Sequence, residues 1–396
     1  MQGSVLLLSQ RRVADVVAFC AGYEFEDTFA AVTGGHRIDA TDLPSLEFSR
    51  RAYKLARLAS RSPWLARRLA PYPQSKVVLE RDFELFFAVF SHTYPVYSLA
   101  TIPNWRERCR KAACFITEVW PNLGHGYLLE LLSDFDHIFL GSYHRVQDMA
   151  RITGRPCTYL PLAVDVPHFA PELPDQPRPI YVCNIGRRSP VTHQALLEAA
   201  ERQHSFYYYD TVAASGADMK QRTFRVDSPH EHRRMLATIL KHSRYYIANR
   251  SYVNIPVFGA GREEMSARFY EGAAAGTVMI GEAPGTDEFE RQFDWPDAVI
   301  HLPFDSPDIG GILADLDSDP ERLRAVRRNN VREAALRHDW LQRIQVVFDL
   351  LGLTHTEGMR ARAQQLHQIA SDCDRTAEVS RRAYCPGLNQ PTLLSF

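Results

Sequence analysis

Short apolar runs alternate with longer helical stretches along most of this chain, and no other pattern constrains its fold as much. In the first half the candidate strands are residues 4–9, 83–91, 113–119, 137–142 and 158–164. Several are almost continuously apolar, as Phe83-Glu-Leu-Phe-Phe-Ala-Val-Phe90 is. Such runs mark parallel strands covered on both faces, because a half-exposed strand would alternate with polar residues. The segments between them are long enough for crossover helices, so the pattern is α/β. Pro167 to Pro179 then reads PHFAPELPDQPRP, a proline-dense break expected to be a hinge. The alternation restarts after it, with strands expected at 179–185, 205–209, 245–249, 278–281 and 298–302. Ser228-Pro-His-Glu231 reads as a helix start, with Ser as N-cap and Pro at the first position. Two doubly wound units are therefore expected. The halves should behave as separate rigid bodies, followed by a long polar helix over 358–382 and an irregular tail.

Composition narrows the class. With 396 residues the chain is long enough for two domains, each with its own core and no need of staples. Forty-six basic residues balance 47 acidic ones, which argues against a nucleic-acid partner. The seven cysteines are odd in number and scattered without a CxxC pair, so neither a disulfide framework nor a zinc site is indicated. A reducing, cytoplasmic setting fits them best. The start, Met1-Gln-Gly-Ser-Val-Leu-Leu-Leu8, has no basic residue before its apolar run and reads as a core strand, not a signal peptide.

In doubly wound sheets, ligands bind beyond the carboxyl ends of the strands. That rule selects Ser91-His92, Glu118 and Ser142 in the first unit. In the second it selects Gly186-Arg187-Arg188, Asn249-Arg250 and the loop from Gly259 to Glu263. The most informative segment is Gly259-Ala-Gly-Arg-Glu-Glu-Met-Ser-Ala-Arg-Phe-Tyr-Glu-Gly-Ala-Ala-Ala-Gly-Thr-Val-Met-Ile-Gly281. A glycine-rich loop here leads to a helix and then a strand, an arrangement that presents backbone N–H groups to a phosphate. Glu263 is expected to open the helix, with Glu271 two turns on along the same side. An ordinary αβ unit with an acidic first turn has the same features.

Glu263, seven residues, then Glu271 and GAAAGTVMIG resembles the E-x7-E motif of retaining GT-B glycosyltransferases, family four, near the spore-maturation-protein-like branch. Three further segments are similar to that family. Tyr159-Leu-Pro-Leu-Ala-Val-Asp165 with Phe169 and Pro171 resembles its domain-crossing segment. Arg337-His-Asp-Trp340 with Arg343 resembles its closing helix, and Ile185-Gly-Arg187 resembles its donor-side "GR". The likeness spans roughly residues 80–350. It implies a GT-B fold: two Rossmann-like domains facing a cleft. Residues 1–170 would bind the acceptor, 178–352 the nucleotide sugar, and 353–396 would form a helix and tail crossing back. The activity implied is metal-independent transfer of a sugar from a UDP- or GDP-sugar to an acceptor hydroxyl, with configuration retained and no cofactor.

The resemblance also places residues. Glu271 would hold the ribose hydroxyls and Glu263 would lie by the donor sugar. Gly186, Arg187, Arg188, Gly259, Gly261, Arg262 and Thr277 would complete the donor site. The family's Lys after "GR" is absent, and Arg250 is positioned to replace it. His92 would approach the sugar from the first unit, or else cap its strand structurally. Glu118 would contact the acceptor, or else make a local hydrogen bond, and His125 is a lesser candidate in its loop. Asp315-Leu-Asp317-Ser-Asp319 has the spacing of a metal-binding DxD, but its Asp-Pro junction reads as a helix cap. His230-Glu-His232 puts two histidines on different helix faces, so no metal is inferred. Arg50, Arg51, Lys54, Arg57, Arg61, Arg67 and Arg68 lie among apolar residues. The stretch 50–68 is a candidate contact for an anionic membrane or acceptor, with a solvated helix face as the competing reading. Two other classes stay open: a GT-B epimerase with acid/base carboxylates in its cleft, and a non-catalytic surface or assembly protein. A phosphorylase would need a pyridoxal-phosphate lysine, and the chain has only five lysines.

Overall fold

The computed structural model describes residues 4–11, 13, 17–40, 43–74, 76–119, 126–173, 176–210, 228–254 and 263–384, with side chains as far as 375. The first half contains β1 (Val5–Ser9), α1 (Cys20–Thr33), β2 (His36–Asp39), α2 (Leu43–Ser60), α3 (Pro63–Leu69) and β3 (Phe83–Phe90). It continues through β4 (Cys109–Ile116), α4 (Gly126–Leu129), β5 (His137–Leu140), α5 (Val146–Thr153), β6 (Cys157–Tyr159) and α6 (Val166–Phe169). The second half opens with β7 (Ile180–Asn184), α7 (Pro190–Gln203), β8 (Phe206–Tyr209), α8 (Pro229–Lys241) and β9 (Ser243–Ile247). Next come α9 (Ala267–Ala274), β10 (Val278–Gly281), α10 (Asp287–Gln292), β11 (Ile300–His301) and α11 (Ile309–Asp317). Three helices close the chain: α12 (Pro320–Arg337), α13 (Trp340–Leu351) and α14 (Glu357–Tyr384).

The strands form two parallel sheets, in the orders β2-β1-β3-β4-β5-β6 and β11-β10-β9-β7-β8. Both reverse direction next to their first strand, so each has one switch point: β1/β3 in the first and β7/β9 in the second. The α/β, cleft-forming arrangement expected of a GT-B chain is present. Ser228 caps α8 by accepting from the Glu231 N–H at 3.2 Å. Asp319 caps α12 by accepting from the Arg322 N–H at 3.0 Å. Small residues let α9 press on its sheet, where a Cβ at Gly272 would fall 2.6 Å from Met279 Sδ.

Packing joins the two halves. One apolar cluster runs from Val5 and Phe87 through Phe25 and Trp340 to Phe269 and Tyr246, joining both sheets. The resembled closing motif forms that junction. The Trp340 indole donates to Glu24 Oε1 at 2.8 Å, and Arg343 donates to the Pro161 and Leu162 carbonyls at 3.0 Å each. Asp339 caps α13 and accepts the Val166 N–H at 2.9 Å. The proline-dense segment is anchored too, with Phe169 fully buried under the Arg233 guanidinium. Beyond it, α14 crosses back onto α1: the Thr356 hydroxyl donates to the Val32 carbonyl, and Met359 and Leu366 are buried.

Candidate functional site

The carboxyl ends of both sheets open on one cavity of about 430 Å³, within the range of small-molecule sites. From the first half it is lined by the N-terminal turn of α1, Phe19 to Gly22, and by Glu118 and Ser142. From the second it is lined by Gly186, Arg187, Asn249, Arg250, Ser266, Arg268 and Glu271. The N-terminal turn of α9 therefore faces that of α1, and both helix dipoles present their positive ends to the cavity. The Ser266 N-cap hydroxyl is turned away from its own helix and donates to the Asn249 carbonyl at 2.7 Å.

Cations gather at the second switch point. Gly186 has φ +76°, a conformation that brings the chain tight beneath Arg268. Arg268 donates to the Ile185 carbonyl at 3.2 Å, and Arg187 lies over the Tyr252 ring at 4.6 Å. Desolvation, with Arg268 adding to it and Tyr252 opposing it, holds Arg187 below the usual arginine pKa. Two guanidiniums drawn together in a desolvated wall are a place for an anion. Arg250 is already paired, with Glu263 at 3.4 Å and Glu282 at 3.1 Å.

Two carboxyls face the same space. Desolvation raises Glu118 to about 7. It also raises Glu264 to about 7, against backbone hydrogen bonds from Tyr143 and His144. Glu271 forms the deepest wall. Its carboxylate accepts from Arg233, which also donates to Glu24 Oε2 at 2.8 Å. Burial works against the Arg233 charge, but the two carboxylates together hold its pKa above the ordinary value. The Tyr246 hydroxyl lies 3.4 Å from the other Glu271 oxygen, and a carboxylate has room for further donors beside these two.

Several expected residues fall elsewhere. Arg188 is buried outside the cavity, its guanidinium paired with Asp210, so it is not free for a phosphate. The Gly186 N–H is likewise committed to Asp210, at 2.8 Å. Thr277 is fully buried, and its hydroxyl donates to the Gly272 carbonyl at 3.0 Å. Glu263 does not open α9. It precedes the helix, accepts the Gly285 N–H at 2.7 Å and lines a smaller neighbouring cavity, while Glu264 reaches the main one. His92 is not on the cavity wall: it stacks on Phe19, which is, and its Nδ1 lies 2.8 Å from Ser91 Oγ. Gly259, Gly261, Arg262 and His125 lie outside the described residues. Of the DxD run, Asp317 accepts from the Tyr181 and Tyr245 hydroxyls at 2.9 and 2.8 Å, and Asp319 is the α12 cap. Among the described residues no group of His, Cys, Asp and Glu could hold a metal ion.

Arg268, Glu264, the α1 turn and the Glu24–Arg233 pair join the site without having been expected from the sequence. Arg268 stood inside the quoted segment, three residues before Glu271, and that spacing was the available signal.

Residues 187–349 match the family model described as glycosyl transferase-like. No curated protein matches the chain. Among solved structures it is similar to Anabaena Alr3699/HepE in complex with UDP, at 11% identity and a TM-score of 0.48, covering 88% of this chain and 99% of that one. Sucrose-phosphate synthase from Thermosynechococcus elongatus gives 12% identity, a TM-score of 0.48 and the same two coverages. An alpha-glucosyltransferase in complex with UDP and a 13-mer DNA gives 11%, 0.49 and again 88% and 99%. Likenesses of this degree decide neither the chemistry nor the substrate of this chain. The match that bears on chemistry is the glycosyl transferase-like one, and it covers the half that carries Arg187, Arg268 and Glu271.

Proposed function

We propose that this protein transfers a sugar from a nucleotide-diphosphate sugar to an acceptor hydroxyl, with no divalent metal taking part. The observation that carries this reading is the crowding of Arg187 and Arg268 at the second switch point, between two helix N-termini. That wall suits a diphosphate, whose negative charge grows as the glycosidic bond breaks. Glu271 would accept the ribose hydroxyls, and Glu264, in place of Glu263, would lie by the donor sugar. Glu118 faces from the first half. With a pKa near neutrality it is suited to exchanging a proton with an acceptor hydroxyl. His92 would act through Phe19, by fixing that ring at the cavity rim. Retention of configuration is what the resemblance to the E-x7-E motif implies, and proton NMR of the first-formed product would check it.

The test is a thermal-shift screen of UDP, GDP and their sugars, with and without chelator. A ligand at ~100 times its dissociation constant adds ~2.7 kcal/mol to the folded state. Stabilisation by a nucleotide diphosphate that survives chelator is expected. Absence of any shift across the panel, or a shift that needs added manganese or magnesium, defeats the proposal.

A second reading, a nucleotide-sugar epimerase, is favoured by the two carboxyls near 7, Glu118 and Glu264, on one cavity. Incubation with a nucleotide sugar and no acceptor separates them. An epimerase changes the configuration of a sugar carbon under those conditions, and a transferase does not.

A further inference from the structure

The basic stretch of the first half divides into two sets that do different things. Arg50, Arg57 and Arg67 point inward: to the Tyr127 hydroxyl at 2.5 Å, to both oxygens of Glu130 at 2.8 Å, and to Asp134 at 2.5 Å. Arg50 and Arg57, with buried Leu46, Ser49 and Tyr53, fix α2 to the domain, and Arg67 fixes α3. The opposite face is the unusual one. Phe48, Leu55 and Leu58 fall on one arc of α2 and are 69%, 68% and 67% exposed. On α3, Trp64 and Leu69 are each 62% exposed. A helix of a globular protein ordinarily turns such residues inward. Here five large apolar side chains on two neighbouring helices stay exposed together, a mark of an interaction site.

The remaining cations lie among and beside these side chains, with Arg51 between Phe48 and Leu55 on the same arc. Arg51, Lys54, Arg61 and Arg68 are exposed, and Arg68 stacks on the Trp64 ring at 4.3 Å. Between Pro44 and Tyr72 the only acid is Glu47, which is occupied by the Tyr94 hydroxyl and Arg51. Charge therefore chooses the occupant. A second copy packed by a two-fold axis would set these cations against their own counterparts. An anionic lipid surface satisfies both features: cations meet headgroups, apolar side chains enter the acyl boundary, and the indole sits between. We infer that the outer face of α2 and α3 docks this protein on an anionic membrane. This docking does not depend on the chemistry in the cleft. Among the described residues no helix is long and apolar enough to cross a membrane, so the contact is one that lies on the surface.

The test is flotation of the full chain with vesicles of phosphatidylcholine alone, or with phosphatidylglycerol added. Binding is expected only to the anionic vesicles, with a blue shift of tryptophan emission that Trp64→Phe removes. Leu55→Ser/Leu58→Ser should weaken binding roughly tenfold or more, as should Lys54→Ser/Arg61→Asn. Asn suits the second site because Arg61 has φ +54°. Unchanged melting temperatures would show that both variants fold. The inference is overturned if the wild-type chain stays unbound on anionic vesicles, or if either folded variant binds as well as wild type. It is also overturned if the chain forms a dimer in solution that Leu55→Ser/Leu58→Ser disperses, since a second copy would then own the face.

Discussion

Arg268 is the residue on which the proposed donor site turns, because it reaches over Gly186 from the first turn of α9 and has Arg187 as a neighbour. Arg268→Ala removes one of two crowded cations without leaving a buried acid unpaired. The folded variant should lose ~1.5–3 kcal/mol of nucleotide-diphosphate affinity, the usual worth of a hydrogen bond to a charged group. Isothermal titration measures it, and equal affinity in the variant would remove Arg268 from the site. Glu118 gives a prediction with a sign. Its carboxyl titrates at about 7 in the fold, against ~4.3 in an unfolded chain. Between those values the folded chain keeps a proton that the unfolded chain has released, so stability falls as pH rises through the window. Glutamine has no such proton. The melting temperature of Glu118→Gln relative to wild type should therefore rise between about pH 4 and about pH 8, by an amount equivalent to roughly 3 kcal/mol. A constant difference across that range would show that Glu118 is ordinarily solvated.

At the scale of elements, the strands of both sheets were readable because burial on two faces leaves long apolar runs, as in β3. The exception, β2, is an edge strand with exposed or half-buried residues, His36–Asp39, and has no such run to read. After the glycine-rich loop, which lies outside the described residues, the expected helix and strand are present as α9 and β10, but the two glutamates ahead of the helix do not take the expected register. Which of Glu263 and Glu264 enters the main cavity depends on backbone turns ahead of α9, and periodicity begins only at Ala267. The Glu24–Arg233 pair joins residues 209 apart, and no local spacing announces it. The crossing helix α14 was expected from the resemblance, and its seat on α1 rests on one small residue. A Cβ at Gly358 would lie 2.5 Å from the Val32 carbonyl oxygen. Gly358→Ala must move the start of α14 off α1, at a cost of about 1–3 kcal/mol as for other overpacked sites. Denaturant unfolding reads that loss. A variant as stable as wild type would mean that α14 adjusts its seat freely.

For the whole molecule the decisive feature is the ion cluster that spans the halves directly behind the cavity. Glu24 of α1, Arg233 of α8 and Glu271 of α9 are all less than a tenth exposed, and Arg233 is shared by both carboxylates. Glu24 also accepts from the Trp340 indole and from the Asp165 N–H at 2.7 Å, so four separate segments converge on one buried charge. Such a cluster contributes less to net stability than its contacts suggest, because all three ions are taken from water; breaking it is another matter. Arg233→Met leaves two acids facing each other without their cation. Desolvation already raises Glu24, and Arg233 is the largest influence lowering it. Without that partner Glu24 should hold its proton to higher pH in the fold while the unfolded chain still ionises near ~4.3. The sign follows: the variant should lose about 3–5 kcal/mol at neutral pH, and the loss should shrink towards about pH 4, where both states are protonated. Chemical unfolding at the two pH values measures it. Because Glu271 also lines the cavity, the same variant should bind nucleotide diphosphate more weakly. A loss of stability that is the same at both pH values would mean that Arg233 acts through its packing on Phe169 and not through its charge.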